Sequence, residues 1–171
     1  MRAGTEEGKA NAADAINMLA NDELTRVLIV EAGALPPLVV LLSVGTDRGK
    51  AKAADAIYCL TIYAPVRALI MEAGALPPLV ALLRAGTEEG KANAADAINM
   101  LANDELTRVL IVEAGALPPL VVLLSVGTDR GKAKAADAIY CLTIYAPVRA
   151  LIMEAGALPP LVALLRAGTE E

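Results

Sequence analysis

An all-α solenoid is the fold this sequence predicts, and three observations predict it. The first is a repeat. Arg2 to Glu89 is identical to Arg84 to Glu171 at all 88 positions, and a weaker period of 41 residues lies beneath that duplication. "EAGALPPLV" starts at Glu31, Glu72, Glu113 and Glu154, and Ser43–Leu83 matches Arg84–Leu124 at 25 of 41 positions. A fixed period of this size means units that stack, each packing on its neighbours. The second is composition. The chain of 171 residues is 56% hydrophobic but only 2% aromatic, with no Phe, Trp or His. Its core must come from Leu, Ile, Val and Ala, and Ala and Leu favour helix. The third is punctuation: Gly, Pro and Thr recur where helices should stop and start.

The elements follow in order within each unit of two alternating flavours. In the unit opening at Ala64, "APVRALIMEAG" is a first helix, with Pro65 suited to the first turn and Gly74 a left-handed stop. "ALPPLVALLRAG" is a second helix, opened by Pro77 and Pro78 and closed by Gly86, apolar on nearly every side as expected of an element inside a stack. "TEEGKANAADAINMLAN" is a third. Thr87 can cap it, Glu88 and Glu89 suit its positive N-terminus, and Ala92, Ala95, Ile98, Leu101 and Ala102 form its apolar stripe.

This order, a short helix, a Gly turn, "GALPPLVxLL", a second Gly and "KAxAADAIxxL", resembles the armadillo repeat, whose helices are called H1, H2 and H3. It is particularly similar to the arrays of plant U-box proteins, and the resemblance runs the whole length of the chain. HEAT repeats share the period but lack the H1–Gly–H2 signature. The resemblance implies a right-handed α-solenoid with three helices per 41-residue unit. An unbroken identity over 88 residues implies an engineered gene or a very recent duplication. It weakens the reading as a natural ubiquitin-ligase arm, as does the lack of a U-box segment.

On that frame the chain reads as one domain in five parts. Residues 2–21 are an H3 without its H1 and H2. Residues 22–63, 64–103 and 104–145 are full repeats, and 146–171 are an H1–H2 pair without its H3. "RAGTEE", the H2–H3 joint, stands at Arg2, Arg84 and Arg166. The expectation is incomplete terminal repeats without polar caps. Ala13, Ile16 and Leu19 then line one end, and Leu161, Val162, Leu164 and Leu165 the other. The two ends complement each other. The expected partner is therefore a second copy of the chain, met head-to-tail or by exchange of the terminal H3.

In the family the H3 helices line the concave face, where an Asn ladder, often beside a Trp ladder, holds an extended peptide. Here the Trp position falls on Asp14, Asp55, Asp96 and Asp137, and the Asn position on Met18, Cys59, Met100 and Cys141. A thioether or thiol cannot supply the paired donor and acceptor of an amide. What remains is an Asp rail, one carboxylate per unit at roughly the 8–10 Å of packed helices, able to attract a basic extended peptide. Asn17 and Asn99 alternate with Tyr58 and Tyr140 at the next position. Lys52 and Lys134 alternate with Asn11 and Asn93 one turn before each Asp, so Lys–Asp pairs at i, i+3 on one solvated helix face are the competing reading.

Other chemistry is excluded or weak. Without His, the usual His-based triads and metal sites cannot be built, and no cofactor or enzymatic activity is expected. Cys59 and Cys141 lie two units apart, roughly 16–20 Å at that packing distance, too far for a disulfide within one chain. They suit a reducing compartment. Ser43 and Ser125 have no partnering base. "GTEEGK" and "GTDRGK" lack phosphate-loop spacing and follow no strand. The net charge of −5 and the absence of a basic run speak against nucleic acid. The longest apolar runs are about half a membrane span, and the Met1 end carries no apolar signal segment.

Overall fold

The computed structural model describes residues 4–167; the remainder, including Arg2 and most of the last "RAGTEE", lies outside the described residues. Within them stand twelve helices and no strand. α1 (Glu6–Leu19) is an H3. Three H1–H2–H3 triplets follow: α2 (Glu23–Glu31), α3 (Leu35–Val44) and α4 (Asp47–Thr61); α5 (Ala64–Glu72), α6 (Leu76–Ala85) and α7 (Glu88–Leu101); α8 (Glu105–Glu113), α9 (Leu117–Val126) and α10 (Asp129–Thr143). An H1–H2 pair, α11 (Ala146–Glu154) and α12 (Leu158–Ala167), comes last.

Local chemistry sets the boundaries. The hydroxyls of Thr5, Thr46, Thr87 and Thr128 accept the N–H of the glycine three residues on, at 3.0 Å in α1 and 3.2 Å in the others. Each satisfies a donor that the helix itself leaves orphaned. At the H1–H2 elbow Gly74 takes φ +78°, and the Ala75 N–H closes back onto the Ile70 carbonyl at 3.3 Å. An L side chain there would cost roughly 1–2 kcal/mol. The prolines then open α6, whose axis turns 84° from α5; the other three elbows turn 81°, 82° and 85°. At the H2–H3 joint a Cβ on Gly86 would lie 2.6 Å from the Leu82 carbonyl oxygen, so only glycine lets the chain turn so tightly there.

Stacking builds the core. The H3 helices pack in the ladder α1–α4–α7–α10, the H2 helices in the ladder α3–α6–α9–α12, and each H2 of a full triplet lies on the H3 that follows it. The apolar stripe expected on α7 is buried, but so are Ala94 and Ala97 on its flanks, together with Asn93 and Asp96. H3 has a neighbour on either side and H2 behind it, and alanine lets all of them approach closely. H2 is the less enclosed element: Val40 and Val44 of α3 are 60% and 78% exposed. The expectation that H2 is the sandwiched helix is thus corrected in degree. Leu79 and Leu120, fully buried between the two ladders, each contribute about 1.5–3 kcal/mol by burial.

One interaction went unread in the sequence. In three of the four H1 helices an arginine reaches back to the end of the preceding H3. Arg67 Nε donates to Thr61 O at 2.8 Å, Arg108 Nε to Ala102 O at 2.6 Å, and Arg149 Nε to Thr143 O at 2.7 Å. A cation there meets the unsatisfied carbonyls and the negative pole of the helix. Arg26 departs from the pattern, with its Nε buried and unpartnered.

Candidate functional site: the third-helix face and the end faces

The H3 face is where the sequence places an Asp rail, and stacking consumes much of it. Asp96 is only 5% exposed, and its carboxylate meets Lys134 Nζ at 2.9 Å. Lys52 lies 3.3 Å from Asp14 and 3.7 Å from Glu89, bridging the units on either side. These Lys–Asp pairs therefore join neighbouring H3 helices. The i, i+3 pairing expected within one helix is corrected by the stack, which brings the preceding unit's Asp closer. Asp55 accepts from Asn17 Nδ2 at 2.8 Å. Asn99, 82 residues on, has a buried Oδ1 without a partner. Asp137 is exposed.

The electrostatics follow burial. Desolvation pushes the Asp55 and Asp96 carboxyls above the ordinary Asp value, and in Asp96 it outweighs the pull of Lys134. The hydrogen bond to Asp96 holds Lys134 above the usual lysine value. Burial also raises Tyr58, Cys59 and Cys141, so neither thiol is activated toward thiolate chemistry. Met18 and Tyr140 are 68% and 69% exposed, whereas Met100 and Tyr58, on helices with a neighbouring H3 on both sides, are half-buried. Among the described residues no cluster of His, Cys, Asp or Glu is arranged to hold a metal ion, and no single helix is long and apolar enough to cross a membrane.

The end faces carry the sharper contrast, because the sequence repeat supplies its own comparison. Ile16 is half-buried and Ile98 fully buried; Leu19 is 59% exposed and Leu101 0%. At the other end Leu158 and Leu165 are 49% and 75% exposed, while Leu76 and Leu83 are 6% and 2%. Leu161, Val162 and Leu164 are half-buried where Leu79, Val80 and Leu82 are buried. Ala13 needs correction as a surface residue: it is 1% exposed, seated among its own chain's helices. Ala12 and Leu158, exposed on these faces, were missed. A signal was present, since their counterparts Ala94 and Leu76 lie in the middle of the array.

Between α1 and α3 these residues frame an apolar groove of about 400 Å³, lined chiefly by Ala12, Ala13, Ile16, Pro37, Leu38 and Leu41. The same pair of helices recurs as α7 and α9, and there α6 packs against both. α12 has the sequence of α6.

Comparison with known proteins agrees with this architecture. A family profile described as Armadillo/beta-catenin-like repeat matches residues 64–99. No curated protein matches the chain. Among solved structures, computationally designed armadillo repeat proteins for modular peptide recognition are 33% identical, with a TM-score of 0.88 over 97% of this chain and 71% of theirs. A designed armadillo repeat protein in complex with the peptide (KR)4 is also 33% identical, with a TM-score of 0.88 over 98% and 72%. An engineered protein at 27% identity has a TM-score of 0.91 over 96% and 70%.

Proposed function

This chain belongs to the armadillo repeat family, and from that premise we propose that it is a non-enzymatic, engineered scaffold whose end faces join head-to-tail with further copies of itself. One observation carries the reading: the α1–α3 groove of about 400 Å³ is open, and the corresponding α7–α9 groove is narrowed to about 240 Å³ by a helix whose sequence α12 repeats. In such a joint α12 would lie on α1 and α3 of the next copy as α6 lies on α7 and α9. Exchange of α1 between chains is disfavoured, because α1 already packs along α4 of its own chain with Ala10 and Ala13 buried.

The energetics set the regime. A handful of aliphatic side chains at about 1.5–3 kcal/mol each contributes roughly 10 kcal/mol. Loss of rigid-body freedom costs about 4–15 kcal/mol. The two are comparable, so association depends on concentration. The contact is heterologous and propagates as an open chain unless its rotation closes a ring.

The test uses two variants. Ile16→Glu blocks the α1 face and Leu165→Glu the α12 face, and each alone is expected to be monomeric by light scattering. Mixed, they retain one compatible pair of faces and should form a 1:1 heterodimer and nothing larger. A wild-type chain that stays monomeric at millimolar concentration, or a mixture that never dimerises, overturns the reading.

A second reading, an extended basic peptide on the H3 face, is favoured by the designed relative in complex with (KR)4. Here the pairing of Asp14 with Lys52 and of Asp96 with Lys134 leaves less free negative charge to attract it. Anisotropy of a labelled (KR)4 peptide against wild type and the Asp55→Asn/Asp137→Asn double variant decides it: saturable binding weakened about tenfold or more supports the groove. Equal binding by the two proteins removes it.

A further inference from the structure

Resting on the head-to-tail reading, we infer that Asn11 sets the register of the joint between copies, its amide waiting for a carbonyl acceptor that a second copy supplies. The warrant is again internal. Asn93 is 1% exposed and spans two neighbours: its Oδ1 accepts from Arg130 at 2.6 Å, and its Nδ2 donates to the Ala51 carbonyl at 3.0 Å. Asn11 occupies the same position in α1. Its Oδ1 accepts from Arg48 at 2.7 Å, but its amide nitrogen makes no hydrogen bond among the described residues, and the residue is exposed. The acceptor corresponding to Ala51 is the carbonyl of Ala133, on α10 at the far end of the array. Ala51 is 2% exposed, whereas Ala133 is exposed.

Lys134 lies on the facing helix, one residue after Ala133. Lys52 bridges Asp14 and Glu89. Lys134 holds the first of these arms, Asp96; by the repeat the second arm falls on Glu171 of its own chain, outside the described residues, and equally on Glu7 of a following copy. When α10 of one copy meets α1 of the next as α4 meets α7, Asn11 donates to Ala133 and Glu7 comes to the position that Glu89 holds beside Lys52.

These polar groups do what the aliphatic residues cannot. Leucine and alanine tolerate a slip along the helix or a two-fold pairing of like faces. In a two-fold pairing of α1 faces, Asn11 would lose its carbonyl acceptor. A buried amide left without its partner is penalised severely enough to select one arrangement.

The experiment builds on the heterodimer. Asn11→Asp is introduced into the Leu165→Glu chain and titrated against Ile16→Glu by sedimentation velocity. The substitution is near-isosteric and keeps the bond from Arg48, so the melting temperature of the single chain should not fall. The Kd should rise about 100-fold, because a carboxylate then faces the Ala133 carbonyl. Glu7→Gln in the same background should weaken association by a few fold and flatten its salt dependence. If the parent pair dimerises and Asn11→Asp leaves the Kd unchanged, the register assignment is wrong and head-to-tail stacking stands. If the parent pair does not dimerise, both fall.

Discussion

Asp96 concentrates the electrostatics of the stack in one side chain. It is almost wholly buried, paired with Lys134, and held above the ordinary Asp value by desolvation. The sign of its effect follows. A carboxyl whose folded value exceeds its unfolded value binds its proton more tightly when folded, so its contribution is full below the unfolded value and is lost as pH rises through the folded one. Replacement by the neutral isostere should therefore improve in relative terms toward neutral pH. The urea midpoint of Asp96→Asn, compared with wild type, is expected to be higher at pH 7 than the same comparison gives at pH 3. An invariant difference would mean that the Lys134 pair offsets the desolvation entirely. This environment was hidden in the sequence. Spacing alone offers Lys134 a partner three residues along its own helix, Asp137, and only the distance between stacked helices shows that Asp96 is closer.

At the scale of the element, the legible part was the punctuation. Thr, Gly and Pro act through bonds and torsions that span a few residues, so Thr87, Gly74 and the Pro77–Pro78 pair were readable before any packing was known. The Thr cap can be tested on its own. Thr87→Ala removes the acceptor for the Gly90 N–H and should destabilise the chain by about 1 kcal/mol, read as a lower denaturant midpoint with an unchanged slope. What could not be read was the extent of burial around H3. A stripe of Ala, Ile and Leu describes a helix with one apolar face, yet Ala94 and Ala97 show that α7 is enclosed on its flanks as well. Alanine is small enough to look neutral in a periodicity argument and to become core when two helices close on it. The arginine clamps escaped for a related reason: Arg67 and Thr61 are six residues apart and meet only because H1 folds back across the end of H3.

For the whole molecule, the 82-residue duplication places identical side chains in different surroundings. Ile16 and Ile98 share sequence neighbours and differ in whether another unit covers them. Ile98→Ala should destabilise by about 2–5 kcal/mol, as for a buried aliphatic truncation, and Ile16→Ala by distinctly less. Equal losses in urea unfolding of the monomer would show that coverage by the neighbouring unit contributes little. The difference is a direct reading of coupling between units, with intrinsic propensity cancelled, which is the quantity that governs a stack of this kind.

The four elbows hold one further implication. Each turns within the narrow interval of 81° to 85°, because the same glycine torsion and the same proline pair recur in every unit. A joint that repeats its geometry so closely leaves no mismatch to accumulate along the array. Inserting additional 82-residue blocks should lengthen the molecule by equal increments while its curvature stays constant, making the solenoid a graduated spacer whose reach is chosen by counting blocks.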